Sequence, residues 1–155
     1  LLNHLFYILS KQITSQVEGI IDQHSHFIGF HAKLTSDITL GPSQTVIFNK
    51  VISNIGNNYN PHTGHFTAPY NGMYFFTSSF LKTSGSYELY LQMVQNSDEI
   101  SKGYAARGNV GEAASMTAIV ALKKDDVVKV RHHTGIGSET IHGDWSYFTG
   151  FLLAK

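Results

Sequence analysis

The sequence contains no cysteine, only three prolines and few charged residues for its length. With no cysteine among 155 residues, the fold cannot be a disulfide scaffold, and this absence does not by itself indicate a compartment. Eleven basic residues balance eleven acidic ones, which removes the excess positive charge expected of a nucleic-acid-binding protein. No apolar run approaches about 18 residues, so no segment is predicted to insert into a membrane.

The sequence also lacks the usual signals of catalysis. It has no cysteine nucleophile, no G-x-S-x-G motif, and no glycine-rich loop followed by Lys-Ser or Lys-Thr. Its carboxylates, such as Glu88, Asp98 and Glu99, fall at predicted turns and exposed strand positions, where a solvated carboxylate is the default. The sequence therefore indicates a protein that is not an enzyme.

From residue 27 onward the chain is rich in glycine, phenylalanine and tyrosine and breaks into short β-type segments. These segments are IGFHAKLT, QTVIFNKV, GMYFFTSSF, YELYLQMVQ, SMTAIVAL, DVVKVRHH and WSYFTGFLLA. Each is rich in β-branched or aromatic residues and is bounded by Gly, Pro, Asn, Asp or Ser. Seven or more such strands predict an all-β sandwich or jelly roll within one domain.

The side-chain alternation predicts which faces of these strands are buried. In YELYLQMVQ, one set should face the core and the other should face outward: Tyr87, Leu89, Leu91 and Met93 on one side, and Glu88, Tyr90 and Gln92 on the other. SMTAIVAL and FTGFLLA are apolar on both faces. Because a sandwich strand needs only one buried face, these two segments predict a second buried surface and therefore an oligomer.

Residues 1–26 differ from the globular domain predicted for residues 27–155. Phe6, Ile13, Ile20 and Phe27 recur at intervals of seven, with Val17 at the alternate seam position. Two interpretations remain open: a short, imperfect coiled coil that needs partner chains, or an amphipathic helix packed on its own domain. Because the chain starts with Leu rather than Met, we expect a longer precursor from which any secretory signal has been left out.

The stretch NPHTGHFTAPYNGMYFF, residues 60–76, concentrates turn formers and aromatic residues. Asn60-Pro61 and Thr63-Gly64 predict turns around a brief strand. Asn71-Gly72 is a strong hairpin signal, predicted to lead into a strand from Met73 to Phe80.

Seven positions at fixed spacing around this stretch resemble the C1q domain family, the globular head of complement C1q and of many secreted relatives. The matching positions are Phe48, Asn54, Tyr59, Phe66, Gly72, Tyr74 and Phe76. Ser78 departs from the pattern, which has an aromatic there, and Asp125 stands where Gly is usual. The resemblance runs from about Phe27 to Lys155 and implies a ten-stranded jelly roll, a tight homotrimer and secretion to the extracellular space. The signature aromatics are predicted to be core residues.

The resemblance implies a lectin-like function in innate immunity, in which a secreted trimer performs pattern recognition of carbohydrate or other microbial surface ligands. The alternative is a secreted protein-binding trimer, either a hormone-like ligand or an extracellular matrix component. Amides and carboxylates that bind sugar hydroxyls, and aromatic rings that stack on sugars, mark the candidate loops. The candidate ligand residues are Asn57, Asn58, Tyr59, Arg107, His142, Asp144 and Trp145. The alternative is that these residues have a structural role, in which the asparagines form turns and Trp145 packs into the fold.

Nine histidines raise the question of a metal site. The pairs His24/His26 and His62/His65 each offer two ligands without a third, and adjacent strand residues such as His132 and His133 point to opposite faces, so no zinc site is predicted.

Calcium is a separate possibility, because the resemblance implies carboxylates just before the strand of residues 113–122. Only Glu112 fits that position, and the preceding loop offers no second carboxylate. We therefore expect that no cofactor is required, with calcium possible at Glu112.

Overall fold

The computed structural model describes residues 1–24, 27–84, 88–135 and 137–155, and for residues 20–24 the backbone alone. One helix precedes a β-sandwich. The elements are α1 (Leu2–His24), β1 (Gly29–Lys33), β2 (Ile38–Leu40), β3 (Lys50–Ile55), β4 (Tyr59–Asn60), β5 (His65–Thr67), β6 (Gly72–Lys82), β7 (Leu89–Gln95), β8 (Asp98–Ala105), β9 (Glu112–Leu122), β10 (Val127–His132), β11 (Glu139–Ile141) and β12 (Tyr147–Ala154).

The strands form two antiparallel sheets. The seven-stranded sheet follows the order β2, β11, β6, β12, β1 and β3, and β9 also pairs with β6; the five-stranded sheet follows the order β4, β5, β10, β7 and β8. The all-β jelly roll predicted from the sequence is confirmed. The described residues form twelve strands where the resemblance implied ten, because ladders of two or three residues such as β4 and β2 count as separate strands.

The signature aromatics meet between the sheets. Phe48, Phe66, Tyr74 and Phe76 are fully buried, as predicted, and the ring of Phe66 lies 5.3 Å from that of Phe76, centroid to centroid. The predicted alternation of β7 also holds for the residues described, since Leu89, Leu91 and Met93 are buried in this core; Tyr87 lies outside the described residues. Close-packed aromatic rings between two sheets contribute a large share of the buried apolar area.

Ser78 occupies the position where the resemblance pattern has an aromatic residue. It is fully buried, and its hydroxyl donates a hydrogen bond to the carbonyl oxygen of Tyr147 in β12, at 2.8 Å. This site is therefore filled by a hydrogen-bonded hydroxyl rather than by a ring.

The predicted hairpin at Asn71-Gly72 is wrong. The strand before it, β5, belongs to the five-stranded sheet, and the strand after it, β6, belongs to the seven-stranded sheet, so the turn carries the chain from one sheet to the other. The Asn71 side-chain oxygen accepts a hydrogen bond from the Lys124 amide at 2.8 Å, and a Cβ on Gly72 would lie 2.5 Å from the Ala154 carbonyl oxygen. Packing against two other segments, rather than hairpin geometry, explains these two residues.

The helix predicted at the N-terminus is present as α1, and it does not pack on the sandwich. All side chains of residues 1–19 are exposed, including Phe6 at 70% and Ile13 at 60%. The structure therefore disfavours an amphipathic helix packed on its own domain, and the coiled coil stays a prediction. The side chains of Ile20, from the heptad pattern, and of His24, from the His24/His26 pair, lie outside the described residues. Among the residues described, no helix is both long and apolar enough to cross a membrane.

Candidate functional site

The predicted ligand residues lie at opposite ends of the sandwich. Strand β1 starts at Gly29, which pairs with Ile55, and ends at Lys33, which pairs with Tyr147. The turn after Ile55 carries the two candidate asparagines, and the loop before Tyr147 carries the candidate Asp-Trp pair. Because these loops flank opposite ends of one strand, the structure divides the predicted set into two separate groups.

The asparagine group has the properties of a turn. Asn57 adopts a left-handed backbone conformation, with φ of 56°, and its amide donates to the Asn54 carbonyl at 3.3 Å. The side-chain amide of Asn54 donates to the Tyr59 carbonyl at 2.8 Å, which fixes the chain beyond the turn. Asparagine tolerates left-handed backbone well, so the backbone conformation explains Asn57 without a ligand. The side-chain oxygen of Asn58 is buried and makes no hydrogen bond to the described residues.

Tyr59 was predicted both as a ligand residue and as a core residue, and the ligand prediction is wrong. Its ring stacks on Phe30 at 4.5 Å between centroids, it is almost fully buried, and its hydroxyl donates to the Phe48 carbonyl at 3.0 Å. Burial raises the pKa of the Tyr59 phenol far above its ordinary value, so the group stays a neutral donor inside the core.

The second group, His142, Asp144 and Trp145, sits on a loop that many hydrogen bonds hold to residues 34–37. The Asp144 amide donates to the Leu34 carbonyl at 3.0 Å, and the Gly143 amide donates to the Asp37 carboxylate at 2.8 Å. A Cβ on Gly143 would lie 2.4 Å from the Ser36 carbonyl carbon, so only glycine permits this approach. The loop is therefore a rigid support rather than a loose connection.

At the tip of this support, Asp144 and Trp145 face solvent. Trp145 is 69% exposed, and Asp144 is exposed with a left-handed φ of 57°. His142 lies partly buried behind them, where its Nδ1 donates to the Gly143 carbonyl and lies 3.3 Å from the Asp37 carboxylate. Trp145 is not packed into the fold, so a flat aromatic ring and a carboxylate are available together to a ligand.

Arg107 and Glu112 belong to this same end of the molecule. Tyr147 pairs with Ser79 of β6, and beyond Ser79 the strand reaches Lys82, which pairs with Glu112 on one side and Ile141 on the other. Both candidate residues are exposed, in a loop and at a strand start that neighbour the end of β6.

The loop that contains Arg107 is held by a buried lysine, which bears on the calcium prediction. The Lys82 ammonium is fully buried and donates to the carbonyl oxygens of Gly108 and Val110, each at 3.1 Å. Both carbonyls belong to the loop just before Glu112, and they already accept hydrogen bonds from a positive charge, so they are less available as the oxygen ligands that calcium requires. Calcium at Glu112 stays a prediction, with two fewer carbonyl oxygens free to support it. The roles of Lys82 and Asp37 could not be predicted from the sequence, because each side chain bonds to a loop that lies far along the chain.

The histidines considered as metal ligands do not form one site. His132 is fully buried, with its Nε2 2.8 Å from Glu139 Oε2, whereas His133 faces outward near Tyr90, so the predicted opposite orientation is observed. His26 lies outside the described residues. In the described part of the chain, no three His, Cys, Asp or Glu side chains are placed to hold a metal ion.

One outer face of the sandwich, on the seven-stranded sheet, is apolar. The face of the seven-stranded sheet that points away from the core carries apolar side chains on three adjacent strands: Phe75 of β6 pairs with Ile119 of β9 and with Phe151 of β12. Ile119 is 61% exposed, and the Phe75 and Phe151 rings lie 5.2 Å apart. These are the doubly apolar segments from which the sequence predicted a second buried surface.

Comparison with known proteins gives one consistent family. A sequence model of the C1q domain matches residues 29–153. Complement C1q tumor necrosis factor-related protein 3 of Mus musculus is 34% identical over 131 residues, covering 81% of this chain and 51% of that protein, so the chain spans about half of that relative's length. The heavy metal-binding protein HIP of Mytilus edulis is 35% identical over 147 residues, covering 92% of this chain and 67% of that protein.

Among solved structures, the globular domain of zebrafish complement 1qA aligns with a TM-score of 0.70 over 83% of this chain and 98% of that domain. At 20% sequence identity this similarity shows the fold alone.

Proposed function

The chain belongs to the C1q domain family, and from that premise we propose that it is a secreted, trimeric recognition protein that binds carbohydrate on microbial surfaces. It acts by binding rather than by catalysis. The observation that carries the proposal is the exposed Trp145 beside Asp144 on a rigid loop.

The apolar outer face of the seven-stranded sheet supports the trimer. An exposed Ile119 next to the Phe75 and Phe151 rings is costly for an isolated chain in water, and a second and third copy would remove that area from solvent. A closed ring of three copies would use this surface in every subunit without leaving a free edge. The exposed apolar side chains of α1 would then lie side by side as a short coiled coil.

The loop of Asp144 and Trp145 supports the ligand class. An indole ring offers a flat surface for the C–H face of a sugar, and a carboxylate accepts charge-assisted hydrogen bonds from sugar hydroxyls. The hydrogen bonds to Leu34 and Asp37 fix the backbone that carries both groups before binding, which lowers the ordering cost. One such site is small and therefore weak. Three sites on one trimer would bind a repetitive surface with much higher avidity, because linked sites raise the effective concentration.

The test is a glycan array probed with the full chain and with two variants, Trp145→Ala and Asp144→Asn. Asparagine is chosen at position 144 because it removes the charge and still tolerates the left-handed backbone. We expect each variant to lose capture of the recognised glycan and to keep the wild-type mass and melting temperature. Lys124→Gln, which removes an exposed charge from the turn at the opposite end of β9, is the control and should bind like the wild type.

Three other outcomes decide against parts of the proposal. A blank array together with pull-down of one membrane protein favours the protein-binding trimer. Full glycan capture by both loop variants removes the site from this loop. Because the carbonyls near Glu112 already bind Lys82, EDTA should leave capture unchanged, and loss of capture in EDTA would contradict the proposed absence of a required cofactor.

A further inference from the structure

Three aromatic rings lie in a row across the outer face of the five-stranded sheet. Tyr90 of β7 pairs with Tyr104 of β8, and their ring centroids are 4.3 Å apart. His133, which follows β10, lies on the other side of Tyr90 with its ring 6.0 Å away. Tyr104 is 46% exposed and Tyr90 and His133 are partly exposed, so solvent reaches each ring of the row. An open row of rings on a flat sheet is a surface on which a sugar can stack.

Two basic side chains of β10, Arg131 and Lys129, lie two and four residues from His133 on the same face. Gln92 pairs with Arg131 of β10, and Lys129 comes two residues before Arg131 on the same face. Two residues of a strand span roughly 7 Å, so Arg131 lies about 7 Å from the ring row and Lys129, four residues away, about 13 Å, a spread that a short saccharide chain can cover.

The cationic groups are oriented and are not neutralised by described carboxylates. The Arg131 Nε donates to the Gln92 side-chain oxygen at 3.1 Å, and its terminal amino groups make no hydrogen bond within the part of the chain that is described. The Lys129 ammonium likewise has no ion pair among the described residues. Its charge acts on a neighbour: burial lowers the pKa of His65, and the nearby Lys129 ammonium lowers that pKa further.

The neighbouring carboxylates have other partners. Glu99 accepts a hydrogen bond from the Gln92 side-chain amide and lies 3.3 Å from the Lys102 ammonium. Burial alone would raise the pKa of Glu99, but the bonds from Gln92 and Lys102 outweigh it, and the pKa is lowered. Glu139 is buried and bonded to His132 and to the Tyr90 amide. Glu88 adds one charge at the margin, beside Tyr90. Among the described residues, none of these carboxylates forms an ion pair with Arg131 or Lys129, so both cations remain available to a ligand.

We propose that this aromatic-basic face, formed by Tyr90, Tyr104, His133, Gln92, Arg131 and Lys129, binds an acidic saccharide through the carboxylates of its sugar units. The two free amino groups of the Arg131 guanidinium form a planar fork that matches a carboxylate. The tyrosine rings supply the apolar surface for the sugar ring, and Lys129 supplies a second positive charge for the next carboxylate along the chain.

The location of the face is compatible with the proposed trimer. It belongs to the five-stranded sheet and points away from the core, whereas the apolar face assigned to assembly belongs to the other sheet. The inference deepens the proposed function by naming a second ligand surface and an acidic ligand. It rests on the proposed function in one respect, that the protein binds carbohydrate.

The experiment measures binding of the full chain to immobilised polygalacturonate at physiological salt. We expect Arg131→Gln, Lys129→Gln and Tyr104→Ala each to lower the affinity about tenfold or more, because each removes a charge-assisted bond or a stacking surface. Lys124→Gln is the matched control, since it removes one positive charge from an exposed turn outside the face, and it should bind like the wild type. The melting temperature of each variant separates lost binding from lost folding.

Neutral dextran and polyglutamate test the two ligand features separately, because dextran has sugar rings without carboxylates and polyglutamate has carboxylates without sugar rings. Dextran should not bind, because it lacks carboxylates. Polyglutamate should bind at least tenfold more weakly than polygalacturonate, because it lacks the sugar rings. Equal binding to polyglutamate, or binding to dextran sulfate in place of polygalacturonate, would overturn the inference.

Trp145→Ala separates this inference from the proposed loop site. If polygalacturonate binding survives in Trp145→Ala and falls in Arg131→Gln, the sheet face binds it whatever the loop does. If only Trp145→Ala loses polygalacturonate, the loop is the acidic-sugar site and the inference about the sheet face is wrong. If the wild type fails to bind polygalacturonate but captures a neutral glycan through Trp145, the inference fails and the proposed function stands.

Discussion

The outer face of the seven-stranded sheet and the outer face of the five-stranded sheet rest on one shared core, yet they present different chemistry. The first exposes Ile119 beside the Phe75 and Phe151 rings, and the second exposes tyrosine rings beside Arg131 and Lys129. Both sets of residues occupy the outward position of a two-residue repeat whose inward positions are mostly apolar, with Ser78 and Lys82 as the buried polar exceptions in β6. The difference indicates how one jelly roll can use one sheet for assembly and the other for recognition, since the core constrains only half of each strand.

Removing a ring from the shared core should affect both faces at once. Phe76→Ala is expected to lower the free energy of unfolding by about 3–5 kcal/mol, because it removes a fully buried ring and leaves a cavity between the sheets. Chemical denaturation followed by far-ultraviolet circular dichroism measures this loss. A variant that melts like the wild type would contradict the placement of β6 in the core.

Adding a charge to one face and then to the other should separate their roles. Ile119→Lys is expected to convert the trimer to a folded monomer, because a lysine ammonium cannot be buried in an apolar interface without a partner. Tyr104→Lys places the same charge on the other sheet and should leave the trimer intact. Sedimentation velocity at micromolar concentration gives both masses. If the wild type sediments as one chain, or if Ile119→Lys stays trimeric, the apolar face is not the assembly surface.

Enlarging Ser78 tests how tightly the space between the two sheets is filled. Ser78→Phe restores the family's aromatic residue but should cost about 1–3 kcal/mol, because the site is already closed around a hydroxyl bonded to the Tyr147 carbonyl. Ser78→Ala isolates the lost hydrogen bond, expected to cost about 1 kcal/mol. Thermal unfolding of both variants gives the comparison, and a Ser78→Phe protein as stable as the wild type would mean that the core has unfilled space there.

The smallest expected effect concerns the turn that carries the chain from β9 in one sheet to β10 in the other. Asp125 has a left-handed φ of 71°, which explains why the family pattern favours glycine there. Asp125→Gly should raise the free energy of unfolding by up to about 1 kcal/mol, because glycine adopts this conformation without strain. Lys124→Gly, one residue earlier and not left-handed, should be neutral or destabilising. A lower melting temperature for Asp125→Gly would show that the aspartate makes a compensating contact.

Local patterns in the sequence were sufficient for the fold and insufficient for the site. The alternation in β7 and the spacing of the signature aromatics identified buried residues correctly, because burial follows the two-residue period of a strand. The hairpin at Asn71-Gly72 was predicted wrongly, because the choice between a hairpin and a crossing to the other sheet depends on contacts with Lys124 and Ala154, which lie far along the chain. Tyr59 was given a ligand role because a sequence cannot show that its hydroxyl bonds to Phe48 inside the core.

By itself the sequence determined the family, the sandwich, the N-terminal helix and the excess of apolar residues on β9 and β12, since composition, period and signature spacing are local properties. Only the tertiary structure decided that Asn57 and Trp145 lie at opposite ends, that Lys82 holds the loop near Glu112, and that Tyr90, Tyr104 and Arg131 meet on one face. The physical reason is that pairing register and sheet order bring distant segments together, and no local pattern encodes which distant strand a residue will face.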